Sequence, residues 1–267
     1  MLKRCLFIVA CCSYTGALCA QLTQQASIAY EGVGLSPRLG QQIPLDLTFL
    51  DSEERSVTLG EYFHQERPIV LTFVYHTCPM LCSSLLDGVT RSMQDLSLSP
   101  GSDYEMLTVS FSPDDTPAHA AQQRARYLKR LDHQAPEWTF LTGDDPAISA
   151  LTEAVGFQYK WVEEQGEFAH PAAVIILSDQ GVITRYLPDI SPNSRDFRAA
   201  IVEASDGTVG NFLDRAFLYC FQFDPTSNSY VLVARRAMQV GGGVTAVLLI
   251  AFLSILWVND STKPKHS

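Results

Sequence analysis

Residues 68–82 read Pro-Ile-Val-Leu-Thr-Phe-Val-Tyr-His-Thr-Cys-Pro-Met-Leu-Cys, an apolar run that ends in two cysteines. The first eight residues are almost all apolar, β-branched or aromatic, which predicts a strand buried on both faces. Apolar residues then recur at three- and four-residue steps from Cys82 to about residue 96, which predicts a helix. Cys78 and Cys82 therefore lie at a strand-to-helix turn.

Further elements are predicted on both sides of this stretch. A strand covers 43–51, a second buried strand covers 106–111, and a short extended segment covers 138–141. Helices are predicted over 117–132, from Asp144 onward and over 194–204, and two apolar runs around Asp179-Gln-Gly predict a hairpin over 172–187. This order predicts one α/β domain over residues 41–205, a thioredoxin-like mixed sheet flanked by helices.

The amino terminus has the layout of a cleavable secretory signal over residues 1–20. Lys3 and Arg4 precede an apolar run and then small residues that end near Cys19 and Ala20. Lipidation of Cys19 is the weaker interpretation, because Leu18 is bulky where a small residue is expected. Cleavage removes two of the 19 basic residues, which leaves 17 against 29 acidic ones and a formal net charge of −12. That charge argues against nucleic acid as a partner.

The carboxyl-terminal end has a different composition. Residues 240–258 form a 19-residue run without a charge, which is close to the length that crosses a bilayer. Residues 21–40 are expected to form an extended lead-in, residues 206–239 an aromatic hairpin segment near the membrane, and 259–267 a cytoplasmic tail. Together with the signal, this helix predicts a single-pass protein whose soluble domain lies outside the cytoplasm. A buried helix or hairpin is the alternative for 240–258.

The signal contains four of the seven cysteines, so Cys78, Cys82 and Cys220 remain in the exported chain. Three cysteines do not make a disulfide-stapled scaffold. Cys220 is interpreted as a buried structural residue. Cys78 and Cys82 are four residues apart, so their thiols can meet at one metal ion or in a disulfide. Thiolates are soft ligands that favour Cu(I) and Zn²⁺, and the redox and metal interpretations both stay open.

A two-thiolate metal site needs a further ligand, and the best candidate is His170. It precedes the predicted hairpin, and in a thioredoxin-like sheet the loop that enters this central strand lies against the cysteine turn. His76 is closer in sequence but is still on or leaving the strand, so it is the alternative. The other histidines lie in polar or tail segments and are expected to face solvent: His64, His119, His133 and His266.

Three features together resemble the Sco/SenC family of membrane-anchored, thioredoxin-like copper proteins. They are the run 68–82, the segment Val-Ser-Phe-Ser-Pro-Asp-Asp-Thr-Pro at 109–117, and a histidine before the penultimate hairpin. The resemblance covers most of residues 38–205, and Cys-Pro-Met-Leu-Cys is similar to a branch with a carboxyl-terminal anchor. It implies copper ligation by Cys78, Cys82 and His170.

Two positions depart from the family pattern. Ser112-Pro113 stands where family members usually carry Asp-Pro, so an acidic role near the site would pass to Asp114 or Asp115, or be missing. Pro171 directly after His170 is also uncommon, and it restricts the histidine to an extended backbone. Neither departure removes a predicted ligand.

The resemblance implies a metallochaperone of the inner membrane, with its domain in the periplasm. It would deliver copper to, or maintain the thiols of, the dinuclear copper site of cytochrome c oxidase. The copper-bearing oxidase subunit is the expected partner, with other copper chaperones and thiol reductases as further candidates. The alternatives are an exported thiol-disulfide oxidoreductase or peroxidase that uses Cys78 and Cys82 as a redox pair, and an assembly or docking protein with an inert site.

Overall fold

A computed structural model describes residues 32–78, 80–131 and 137–209, together with 221–224, 229–232 and residue 245. Residues 32–209 of this set belong to one compact unit, described below. Among the described residues, no helix is long and apolar enough to cross a bilayer. The predicted signal at 1–20, the tail at 259–267 and, apart from residue 245, the predicted span at 240–258 lie outside the described residues.

The secondary structure alternates between strands and helices, as expected of an α/β domain. In chain order the strands are β1 Gly34–Leu35, β2 Thr48–Asp51, β3 Ser56–Thr58, β4 Ile69–Val74, β5 Glu105–Ser110, β6 Thr139–Thr142, β7 Phe157–Gln158, β8 Lys160–Val162, β9 Glu167–Ala169, β10 Val174–Leu177, β11 Ile183–Leu187, β12 Phe221–Asp224 and β13 Ser229–Leu232. The helices are α1 Leu81–Gln94, α2 Pro117–Arg130, α3 Asp145–Ala154 and α4 Ser194–Ser205, with a 3-10 turn at Leu59–Tyr62.

A seven-stranded mixed sheet with the order β11-β10-β4-β5-β6-β2-β3 forms the centre of the domain. β4 pairs parallel with β5, and β5 with β6, while β10 runs antiparallel to β4. All residues of β4, β5 and β10 are buried, as expected for strands covered on both faces. Helix α2 packs on β6, and α4 packs on β10 and β11. The predicted mixed sheet flanked by helices is confirmed.

The helices differ in how their first residues are capped. Asp144 caps α3 by accepting a hydrogen bond from the Ala147 amide at 3.1 Å, and Thr116 similarly caps α2 from the His119 amide. Helix α1 differs, because Met80 at its cap position supplies no side-chain hydrogen bond. Its first-turn amides are therefore available to the cysteine sulfurs.

Gly88 explains how α1 fits against its neighbours. A side chain at this position would place its Cβ 2.0 Å from the Ile190 carbonyl oxygen and 2.7 Å from the Ser191 Cα. In the sequence this glycine weakens the predicted helix by about 1 kcal/mol relative to alanine. The structure shows why a glycine is needed here: the backbone of α1 lies close to the loop before α4, with no room for a Cβ.

Sequence patterns missed two small sheets. Strands β8 and β9 form an antiparallel hairpin that ends one residue before His170, and β1 pairs with β7. These strands have only two or three residues each, which is too short for an alternation pattern to be recognised. A further two-stranded sheet joins β12 and β13, within the segment 206–239 where a hairpin is predicted.

Candidate metal centre

The loop between β4 and α1 holds the two cysteines. β4 ends at Val74, and the Cys78 amide donates a hydrogen bond to the Tyr75 carbonyl at 3.1 Å, which closes a turn. The Cys82 sulfur accepts a hydrogen bond from the Tyr75 amide at 3.3 Å, and the Cys78 sulfur accepts one from the Cys82 amide at 3.4 Å. Both sulfurs are therefore positioned by backbone groups of the same loop.

His170 lies after β9 and before β10, the strand that pairs antiparallel with β4 next to the cysteine loop. Its Nε2 lies 3.5 Å from the Cys82 sulfur, and its Nδ1 lies 3.0 Å from the Pro171 carbonyl oxygen. A carbonyl oxygen can only accept, so Nδ1 carries the proton and Nε2 presents its lone pair to the thiols. The uncommon Pro171 thus provides the group that fixes the tautomer of the histidine.

Cys78, Cys82 and His170 form a compact group whose donor atoms all lie within 4.8 Å of one another. Within the described parts of the chain, no other set of three His, Cys, Asp or Glu side chains is close enough to hold a metal ion. Cys82 and His170 are buried, at 4% and 3% exposure, whereas Cys78 is only partly buried. The group therefore opens to solvent on the Cys78 side.

The pKa values of the two thiols are shifted in opposite directions. The Cys82 thiol donates to Cys78, and this bond, assisted by the Cys82 and Met80 amides, lowers the pKa of Cys78 to about 3 although burial opposes it. Burial is the main cause that raises the pKa of Cys82, and its bond to Cys78 adds to the effect. At neutral pH the pair therefore holds one proton, and the negative charge lies on the more exposed sulfur.

Aromatic rings surround the histidine and exclude water from its buried face. Phe111 lies 4.9 Å from the His170 ring and Tyr75 lies 5.7 Å from it, measured between ring centroids. Phe168 of β9 packs against both of these rings and is in turn covered by Trp161 of β8. The hairpin that sequence patterns missed therefore supports the ligand-bearing segment.

The donor set fits a soft metal ion. Two sulfurs, one of them already a thiolate, and one imidazole nitrogen are the ligand types that Cu(I) and Zn²⁺ prefer. The fixed tautomer and the dry aromatic surroundings are the supports that metal-binding histidines usually have. The structure thus brings together the three residues that the sequence predicts as ligands.

His76, the alternative ligand, is not part of this group. Its ring is buried beside Phe140, with 6.2 Å between the ring centroids, and neither ring nitrogen has a hydrogen-bond partner. Its backbone is held from both sides, because its amide donates to Asp115 at 2.6 Å and its carbonyl accepts from the Gln123 amide group at 3.1 Å. Burial lowers the pKa of the His76 ring to about 4, with Asp115 opposing the shift.

Asp115 is the acidic residue of this region. Its carboxylate is buried, accepts hydrogen bonds from the His76 amide and the Ser110 hydroxyl at 2.6 Å each, and faces His119 Nδ1 at 3.3 Å. Asp114 is exposed. Of the two candidates for the acidic role, Asp115 is thus the one that holds the cysteine loop, through the backbone of His76.

The remaining candidates lie apart from the site. His64 is exposed, and the His119 side chain is 41% exposed and contacts Asp115 and the Thr116 amide rather than the cysteines. His133, His266 and Cys220 lie outside the described residues. Sequence reasoning gave no role to the Tyr75 and Met80 amides, since no residue pattern signals a backbone donor to sulfur.

The fold and the site define a thioredoxin-like protein with a dithiol and a histidine arranged to bind a soft metal ion. The SCO1/SenC family model matches residues 37–205. The chain belongs to the SCO1/SenC family. A search of curated proteins gives no match.

Solved structures with the same fold are similar to this chain at low identity. A candidate electron transfer protein from Aquifex aeolicus VF5 is 24% identical, with a TM-score of 0.57, and the match covers 64% of this chain and 96% of that one. Arabidopsis thaliana ScoI with copper bound is 16% identical, with a TM-score of 0.50 and coverage of 64% and 99%. BsSco, a member of the Sco family of cytochrome c oxidase assembly proteins in which a disulfide switch was identified, is 16% identical, with a TM-score of 0.51 and coverage of 65% and 98%.

Proposed function

We propose that this protein is an exported, membrane-anchored metallochaperone that carries copper on Cys78, Cys82 and His170. The observation that carries the proposal is the convergence of these three soft or borderline donors within 4.8 Å, two of them buried and one partly open. Membership of the SCO1/SenC family supports copper as the cargo, as does the copper bound to the related Arabidopsis protein. The acceptor is the copper-bearing subunit of cytochrome c oxidase, in keeping with the assembly role named for BsSco.

The chain's own groups have distinct tasks in this proposal. Cys78 offers a thiolate at neutral pH and makes the first contact, because it is the more exposed sulfur. Cys82 releases its proton as it binds the ion, so loading is accompanied by proton release. His170 supplies Nε2, which its bond to Pro171 keeps unprotonated in the neutral ring. Oxidation of the two thiols to a disulfide removes two electrons and both thiolates, and it therefore prevents loading.

The cellular location is part of the same proposal and is supported by the sequence alone. The signal at 1–20 exports the domain, and the apolar run at 240–258 anchors it in the inner membrane with residues 259–267 in the cytoplasm. Export matters for the chemistry, because an oxidising compartment allows the Cys78–Cys82 pair to cycle between dithiol and disulfide.

Copper titration of the reduced full chain tests the metallochaperone. Wild type should bind one Cu(I) tightly, and His170→Ala should bind far more weakly. His64→Ala is the matched control, since His64 is exposed and should leave binding unchanged. Failure of wild type to bind stoichiometric copper, or equal binding by His170→Ala, would overturn the proposal.

The second candidate is a thiol-disulfide oxidoreductase, and the specific observation that favours it is the low pKa of the partly exposed Cys78 thiol. A low-pKa, accessible cysteine beside a second, buried one is the arrangement of a reactive dithiol. Catalysed reduction of a model disulfide, equally fast in wild type and His170→Ala, would favour this enzyme. A wild type that turns over no disulfide but binds copper would exclude it.

A further inference from the structure

Met80 lies between the two cysteines, and its side chain is unusually exposed. It is 72% exposed, while the other exposed large apolar side chains in the described residues, Leu50, Trp161 and Val202, are 38–42% exposed. Exposure of a flexible apolar side chain loses the free energy that burial would give. Met80 therefore has no packing role that would explain its presence at the site.

The backbone of Met80 is nevertheless held in place. Its amide donates a hydrogen bond to the Cys78 sulfur, and its carbonyl accepts from the Ser84 amide at 3.0 Å and from the Ser84 hydroxyl at 3.1 Å. The thioether is thus attached to a fixed point next to the more exposed thiol. Because methionine has three rotatable bonds, its sulfur can turn toward Cys78 or away from it.

The burial of the three donors shows where copper can enter and leave. Cys82 and His170 are almost fully buried, so the open side of the site is the side of Cys78 and Met80. Thioether sulfur is a soft ligand that selects Cu(I). The group on the open side of the site is therefore one that can bind the cargo.

We propose that Met80 is a transfer ligand, whose sulfur binds Cu(I) while the ion passes between the buried site and an acceptor. This inference rests on the proposed function, because it needs copper as the cargo. As Met80 Sδ forms its bond, Cys82 and His170 release the ion, which Cys78 and Met80 then hold at the surface. The freed Cys82 thiolate takes a proton from water, and copper stays Cu(I), so no electron is transferred. Ligands of the acceptor replace Met80 and Cys78 in the last step.

A selective role for Cu(I) follows from the chemistry of the thioether. Cu(II) prefers nitrogen and oxygen donors, so Met80 gives it no comparable path. Transfer of Cu(I) should depend on Met80, whereas binding of Cu(II) to the three site residues should not.

Met80→Leu in the full reduced chain tests the inference, because leucine keeps the apolar bulk and removes only the sulfur. Release of Cu(I) to the chelator bicinchoninate, followed by stopped-flow absorbance, should slow by on the order of tenfold, the lower range for loss of a supporting group at a metal site. Met93→Leu is the matched control, since Met93 lies in α1, the helix that Met80 precedes, and its side chain is buried. It should transfer at the wild-type rate.

A structural measurement separates ligation from a mere packing effect. In selenomethionine-labelled chain loaded with substoichiometric Cu(I) and chelator, copper-edge X-ray absorption should show scattering from selenium. Labelled Met80→Leu, which keeps the methionines at positions 93, 106 and 238, should lack it. A wild type that binds no copper would overturn the proposed function and the inference with it. Normal copper binding, with equal transfer rates and no selenium scattering, would overturn the inference alone.

Discussion

His170 and His76 are both almost fully buried, and both lie near the end of the central sheet where the cysteine loop begins, yet their rings are used in opposite ways. His170 has a partner on each nitrogen, Pro171 on one side and Cys82 on the other. His76 has none on either nitrogen. Burial alone therefore does not make a histidine a ligand. A backbone acceptor that fixes the tautomer and aims the free nitrogen at the sulfurs makes the difference.

The largest expected difference between the two histidines is in copper affinity. His170→Ala removes a donor and should weaken Cu(I) binding by at least roughly 100-fold, more than the loss of a supporting partner usually does. His76→Leu should leave the affinity within a few-fold of wild type. Competition against a chelator of known Cu(I) affinity measures both variants. Equal losses would show that the two rings are not distinguished in this way.

The second difference is in the pH dependence of stability. The pKa of His76 is about 4 in the folded protein and about 6.5 in an ordinary environment. Below about pH 6.5 the unfolded chain binds a proton that the folded chain refuses, so stability is full above that pH and falls between 6.5 and 4. The loss should be on the order of 3 kcal/mol at the low end of this window.

Urea unfolding of the reduced, copper-free protein between pH 7.5 and 4.5 measures this effect. His76→Leu is the control, because it removes the titrating group and fills the same apolar space. Its unfolding free energy should show a flatter pH profile than that of wild type over the same window. A profile as steep as that of wild type would assign the pH dependence to other groups.

A smaller loss of stability is expected from substitution of Asp115, which holds the backbone of His76. Asp115→Asn turns one acceptor oxygen into a donor that faces either the Ser110 hydroxyl and the His76 amide or His119. We expect about 1–3 kcal/mol of destabilisation, the range for a buried group left without its partner. Thermal unfolding measures it, and Asp114→Asn is the matched control because Asp114 is exposed. Similar melting temperatures for both variants would show that Asp115 does not stabilise the loop.

The smallest predicted effect concerns the reactivity of Cys78. In wild type its thiolate form should make the rate of alkylation by iodoacetamide nearly constant from about pH 5 to about pH 8. The bond from the Cys82 thiol is the largest cause of the lowered pKa of Cys78, so Cys82→Ala should slow alkylation at the acidic end of this range. His76→Leu should not. Mass spectrometry of peptides that contain Cys78 follows the reaction, and a steep pH dependence in wild type would contradict the prediction.

The sequence predicted the parts of this protein that depend on local pattern and topology. The strand 68–75, the helix after Cys82 and the hairpin 172–187 follow from apolar periodicity, and all three are confirmed. The proximity of His170 followed from chain order alone, because the loop before the central antiparallel strand must pass the cysteine turn. The choice between Asp114 and Asp115 stayed open until the structure showed which carboxylate is buried.

What could not be predicted depends on contacts between residues far apart in the chain. The position of His76 depends on Phe140, which lies beside its ring, and on Asp115 and Gln123, which hold its backbone. None of these residues is near His76 in sequence. The tautomer of His170 depends on a carbonyl, and carbonyls are present at every residue. The β8–β9 hairpin is too short to give a signal, although it covers the rings that surround His170. The signal, the membrane span and the tail stay predictions.

Gly88 connects the position of a thiol to a contact on another part of the domain. It lies six residues after Cys82 in the same helix, a distance of about 9 Å along the axis. A helix is a stiff rod over this length, so a methyl group that pushed Gly88 away from Ile190 would also shift the first turn of α1. The loop before α4 therefore limits how closely α1 can approach at Gly88. This limit also sets the distance between the Cys82 sulfur and His170.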